Sequence, residues 1–252
     1  MTQQTNIFNA DPEATDLQST VISVRPAGAK MAVALQQNPF RAAGGGEPRD
    51  IGTVEGFLVR DVTKQDGMTW LTLGPEAVAG VRVGTVVHAV VDAGHRQQRR
   101  KLHTAVHMLI RCGCNHFGHF SVTEAEIAED ASHAWVTASV DRAFDQGDVT
   151  VIDRNMRSLV HQARHVSIAK AKSLEAAEDT YGSLFRVSDR HAFKGRVRLA
   201  CIEGFDVNPC GGLHHESSGI GPYVLEPRAE FDVDGSFAVN IRLMNTWMYW
   251  FS

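Results

Sequence analysis

The hydrophobic pattern changes period once along this chain. From Val21 to His95 the apolar residues come in short β-branched runs, often alternating with polar ones: "TVISVRP", "KMAVALQ", "GTVEGFLVRDV", "MTWLTL" and "TVVHAVVD". Alternation at period two sends successive side chains to opposite faces of a strand. Gly, Pro, Asp and Asn punctuate these runs roughly every ten residues, the spacing of a small β-barrel or sandwich. After His95 the pattern becomes helical. Leu102, Val106 and Leu109, with Ile110 beside them, share one face of "HRQQRRKLHTAVHMLIRC", and Gly113 and Gly118 mark its expected end. "SVTEAEIAED" and "HAWVTASVD" read as strands. Ile152, Met156, Leu159, Val160 and Ala163 predict a second helix, and "SIAKAKSLEAAEDTY" carries a short third. "VRLACIEGFDVNPC", "GPYVLEPRAEF" and "FAVNIRLMN" finish as strands.

The expected fold class is therefore α+β, with a β-barrel-like N-terminal domain followed by an α+β core. The expected divisions are a flexible leader at 1–18, the barrel-like domain at 19–95 and the core domain at 96–252. A length of 252 residues suffices for a sizeable core. The net charge of -4 argues against nucleic-acid binding over the whole surface and leaves room for a local basic patch. There is no apolar run long enough to cross a membrane. "MTQQTNIFNADPEATD" lacks the apolar core of a signal peptide. Cys112, Cys114, Cys201 and Cys210 are too few and too uneven for a disulfide framework. These features point to a reduced, cytoplasmic protein without a membrane partner. The C-terminal Trp247, Tyr249, Trp250 and Phe251 would not be left in water, which makes a homodimer a candidate assembly.

The chemistry concentrates in two places. His103 and His107 stand one helical turn apart, so both imidazoles can meet one ion. Thr104 occupies the position where a metalloprotease motif carries its glutamate base, so that base is missing. Cys210 and His214 are also four apart, on a turn containing Gly211 and Gly212. Together the pairs make a four-ligand N/S set suited to tetrahedral Zn2+. Arg96, Arg99, Arg100 and Lys101 precede the first pair and are candidates for phosphate contact. Cys112, Cys114, His116 and His119 read as ordinary helix-end residues rather than a second metal site.

"KLHTAVH" followed by "CGGLHH", with "NPFRAAGGGEPRDIGTV" and "DAGHRQQRRK" upstream, resembles the editing domain of alanyl-tRNA synthetases and its free-standing relatives, the AlaX proteins. That family reads HTAxH and then CGGTH. The resemblance implies a β-barrel-like domain joined to a zinc-binding editing core, with His103, His107, Cys210 and His214 as ligands. It implies a trans-editing hydrolase that cleaves the ester of a mischarged aminoacyl-tRNA at the 3' acceptor end. Serine or glycine on alanine tRNA is the default substrate. One relative acts on fluorothreonyl-tRNA, which makes a threonine analogue the second. The zinc would either activate water or orient the substrate, and no general base is identified. Departures from the family mark a retuned pocket: Glu47 replaces glutamine after Gly45 and Gly46, Leu213 replaces threonine, His215 replaces a small residue, and Thr123 falls where synthetase domains often present glutamine. The competing readings are a non-catalytic zinc-stabilised tRNA-binding module and a zinc hydrolase acting on some other ester.

Overall fold

The computed structural model describes residues 3–77, 80–187, 190–228 and 235–244. The aromatic C-terminal tail lies outside them. The chain divides into two compact units, Met1–Gln97 and Gln98–Ser252.

The first unit is built from β1 (Thr5–Asn6), β2 (Asp16–Ala27), β3 (Lys30–Leu35), β4 (Gln37–Asn38), β5 (Gly52–Val54), β6 (Phe57–Gln65), β7 (Met68–Leu73) and β8 (Val86–Val91). Six of these strands pair in the order β2-β3-β7-β6-β5-β8, and β8 pairs back to β2, closing the barrel. "GTVEGFLVRDV" is thus two strands rather than one. Glu55 and Gly56, both at positive φ, make the turn between them, and Asp66 and Gly67 do the same between β6 and β7. Positive φ at both central residues is the tight hairpin turn whose twist matches its strands. β8 shows the expected alternation, with Val87, Ala89 and Val91 buried and Val86 and His88 exposed. The inward positions join Val21, Val33, Leu35, Val54, Leu71 and Leu73 in one core.

The expected loose leader is instead tied down. The Gln4 amide donates to the carbonyls of Leu35 and Thr69, and its oxygen accepts from the Thr69 N–H. β1 pairs with β4, and Phe8 is buried. Polar side chains that satisfy strand backbone look like a leader in a hydropathy pattern, because hydropathy does not record hydrogen bonds.

The second unit contains most of α1 (Ala93–His116), then β9 (Phe120–Ile127), β10 (Ala134–Val140), α2 (Gln146–Gln162), β11 (Val166–Ala171), α3 (Leu174–Tyr181), β12 (Val197–Ile202), β13 (Asp206–Pro209), β14 (Tyr223–Pro227) and β15 (Ser236–Leu243). An antiparallel sheet of order β14-β15-β10-β9 and a second of order β11-β12-β13 carry the helices. α2 starts at a reciprocal capping box between Asp145 and Asp148. "SIAKAKSLEAAEDTY" divides into β11 and α3, with Ser173 capping the helix.

β12 explains how the site is placed. Its alternate residues feed two cores: Val197 and Leu199 pack with α3's Leu174 and Ala177, while Ile202 packs with α1's Leu102, Ala105 and Leu109. Asp206 on β13 pairs with Ile202, so Asp206, Asn208 and Cys210 take the side that faces α1.

α1 does not stop at Gly113 but runs to His116. Gly113 is small for a packing reason: a Cβ there would strike the Phe120 ring. Gly113→Ala is expected to cost about 1–3 kcal/mol, the usual range for overpacking. Urea unfolding would measure it; an unchanged midpoint would contradict the packing account.

Candidate metal centre

α1 is buried all round from Leu102 to Ile110, so its histidines face protein rather than solvent. The i, i+4 spacing puts His103 and His107 side by side, their ring centroids 5.2 Å apart. His214 comes to 4.2 Å from His103 and 4.7 Å from His107 by the same measure. Cys210 Sγ lies 3.5 Å from His103 Nε2 and 3.3 Å from His214 Nε2. All four ligand atoms fall within 4.8 Å of one another.

These separations fit a metal. Tetrahedral zinc with ordinary Zn–S and Zn–N bonds has S···N edges of about 3.5 Å and N···N edges of about 3.3 Å. The electrostatics of Cys210 and His214 agree. Burial would raise the Cys210 thiol, but the charges of His103 and His214 outweigh it and hold the thiol well below its ordinary range. Burial pushes His214 down to about 3, with His103 adding to the effect. A low thiol and a neutral imidazole are the protonation states that metal binding requires. The cluster can therefore hold a metal ion, and it is the one His/Cys/Asp/Glu group of this kind found among the described residues. Cys112, Cys114, His116 and His119 form no such group. His116 Nε2 instead sits 2.6 Å from Asp148 Oδ1, and burial pushes the Cys112 thiol up to about 12.

Two supporting residues escaped the sequence reading. Thr104 Oγ1 lies 3.4 Å from His214 Nδ1 and accepts the His215 N–H at 3.1 Å. The residue that replaces the metalloprotease glutamate thus ties the C-terminal pair to α1. Asp206 Oδ2 lies 3.7 Å from His107 Nδ1 and 3.4 Å from Arg186 Nη2. The carboxylate thus stands on the Nδ1 side of His107, beyond hydrogen-bond distance, where carboxylates stand behind metal-bound histidines. Burial would lower His107, but Asp206 and the Cys210 sulfur outweigh it and raise it. The missed signal was a carboxylate four residues before a ligand, on the same strand face. Asp206→Asn is expected to weaken metal binding about 10–100-fold. Chelator competition measures this, and an unchanged metal affinity would contradict it.

The turn at Gly211 and Gly212 uses no positive φ. Gly212 N–H donates instead to Cys210 Sγ, a contact that favours the thiolate.

The remaining candidates separate. Of the four residues expected to meet phosphate, Arg96, Arg99 and Arg100 are buried and Lys101 is partly exposed. Arg96 bonds Asp50 through Nε and Nη2, and Arg100 Nε donates to the His214 carbonyl at 2.8 Å. Buried guanidinium groups with protein partners are structural. In the first unit, Gly45 and Gly46 form an exposed turn at positive φ, with Gly44 and Glu47 bridging its base. Glu47 is buried against Arg41 at 3.0 Å. In the second unit, Thr123 sits at an irregularity in the β9–β10 ladder and its hydroxyl meets that of Thr137 at 2.7 Å. Leu213 is buried, and His215 Nδ1 lies 3.0 Å from the Ser217 carbonyl.

The chain is similar to alanine–tRNA ligases. It is 30% identical over 188 residues to that of Cenarchaeum symbiosum, a match covering 74% of this chain and 20% of the relative. It is 30% identical over 195 residues to that of Pyrococcus furiosus, covering 75% and 21%. It is 24% identical over 239 residues to that of Methanococcus maripaludis, covering 91% and 25%. The chain thus spans about a fifth to a quarter of the length of these curated relatives. No protein-family model matches it.

Proposed function

We propose that this chain, which resembles alanine–tRNA ligases over about three quarters of its length, is a zinc-dependent aminoacyl-tRNA deacylase acting in trans on mischarged tRNA. The observation that carries this reading is the His103–His107–Cys210–His214 cluster, which falls within the 91% of the chain that matches the alanine–tRNA ligase of Methanococcus maripaludis. The substrate is the ester between a small or β-hydroxy amino acid and the 3' end of a tRNA: seryl- or glycyl-tRNA(Ala), or a threonine analogue on tRNA(Thr).

When bound, zinc would supply either an acidified water or a handle for the substrate's amino group. The chain's own residues do the positioning. Asp206 orients His107, Thr104 holds His214 and the following backbone, and Arg100 fixes the His214 carbonyl. Thr123, Leu213 and His215 are the proposed specificity residues of the metal-bearing unit. The Gly45–Gly46 turn of the barrel unit, propped by Glu47, is proposed to meet substrate through its backbone. A hydrophobic pocket cannot strongly reject an analogue that merely adds a hydroxyl. Leu213 in place of threonine therefore favours admitting a β-hydroxy or fluorinated side chain over sorting it out.

Labelled Ser- and Gly-tRNA(Ala), Thr- and Ser-tRNA(Thr), fluorothreonyl-tRNA(Thr) and Ala-tRNA(Ala) form the test panel. Rapid release of one small amino acid with Ala-tRNA(Ala) spared supports the proposal. Tight tRNA binding with no ester cleaved above buffer supports a binding module, and salt-insensitive tRNA binding supports a hydrolase for another ester.

A further inference from the structure

The arginines before the metal-binding histidines are buried, so the cations that meet a polyanion must lie elsewhere. On the barrel unit a cavity of about 500 Å³ is lined by Arg25, Lys30 and Arg82, with Val24, Met31 and Val81 among its walls. That size lies within the range of about 300–1,000 Å³ typical of ligand sites. No carboxylate lines it, and none of the three cations forms an ion pair with another described residue. Arg60, Arg157, Arg190 and Arg242 each meet a carboxylate, whereas Arg154 and Arg196 are exposed and unpaired among the described residues. Three cations around one cavity without a counter-charge raise its local positive potential.

The fold holds these cations in place. Arg25 pairs with Ala32 and Lys30 with Ala27 across β2 and β3, so both project from one hairpin face. Gly28, at φ 65°, makes the tight turn between them. The Arg25 guanidinium lies 4.0 Å over the centroid of the buried Trp70 ring. The contact holds the guanidinium against the ring. Thr85 N–H donates to the Arg82 carbonyl and Gly84 N–H to that of Val21, which pins the Arg82 turn to β2. The lining includes no Asn, Gln, Ser or Thr. Its polar side chains are therefore cations alone, and cations meet phosphate oxygens.

We propose that this cleft is a phosphate-binding site for the sugar–phosphate backbone of tRNA; the choice of RNA rests on the deacylase reading. The test is binding of uncharged tRNA to the full chain from about 50 to about 200 mM salt. Lys30→Gln, Arg82→Gln and the double variant are compared with wild type. Arg25 is left in place because it stacks on Trp70. Each single change is expected to weaken binding about threefold to tenfold at low salt. The double variant should flatten the plot of log affinity against log salt by about 1.8, since each phosphate contact contributes about 0.9. Wild-type affinity and slope in the double variant would overturn the proposal. So would tight AMP binding that both changes abolish while tRNA affinity stays unmoved. Because the probe is uncharged, the two readings fail separately. A cleft that binds tRNA on a protein that cleaves no ester removes the deacylase alone, and a deacylase whose salt slope ignores both changes removes the cleft alone.

Discussion

Cys210→Ala is expected to lower metal affinity by more than the roughly 10–100-fold seen for outer-shell changes, and to lower deacylation at least about a hundredfold. The sulfur is the one soft donor in the cluster, and it touches both His103 and His214. Its loss leaves three imidazoles, a set that suits several metals and no longer selects by softness. The same change uncouples stability from metal. A ligand that binds only the folded state stabilises it by about 4 kcal/mol at a thousand times its dissociation constant. Wild type should therefore melt at a lower temperature once a chelator is added, while Cys210→Ala should melt at one temperature with or without it. A variant that keeps one bound zinc and wild-type turnover would remove Cys210 from the centre.

Arg96→Met is expected to destabilise the barrel unit by about 3–5 kcal/mol, the cost of leaving a buried charge without its partner. Both partners are essentially fully buried, and Arg96 Nη2 meets Asp50 Oδ2 at 2.5 Å. Arg96 also reaches the carbonyls of Pro12 and Pro39, and Asp50 accepts the Arg41 N–H. The pair thus closes the base of the loop that carries Gly45, Gly46 and Glu47. In a unit of this size, each kcal/mol moves the melting temperature by roughly 4–8 °C. Asp50→Asn together with Arg96→Met removes both charges and should recover part of the loss. A single variant that melts within a few degrees of wild type would show that the buried pair contributes little.

The candidate metal group was legible because the spacing is local. Two i, i+4 pairs of the right chemistry need no knowledge of the fold. The barrel strands were legible because alternation and turn residues are local too. The misread parts depend on partners far away in sequence. Arg96, Arg99 and Arg100 look like a solvated basic turn until Asp50, 46 residues before Arg96, is placed against the first of them. Asp206 looks like an ordinary strand residue until His107 and Arg186 converge on it. Glu47 looks like a pocket residue changed from the family's glutamine. In the fold it is a buried anion whose guanidinium partner, Arg41, also donates to the Gly44 carbonyl. The charge at Glu47 is thus matched inside its own loop.

The most direct measurement is ester release from seryl-tRNA(Ala) and fluorothreonyl-tRNA(Thr) by protein of known metal content, with Cys210→Ala alongside. The account predicts one zinc per chain, release from at least one of the two by the loaded protein, and release at the buffer rate by the variant. Zinc bound by all four side chains with both esters intact would contradict the central claim and leave a metal-stabilised tRNA-binding fold.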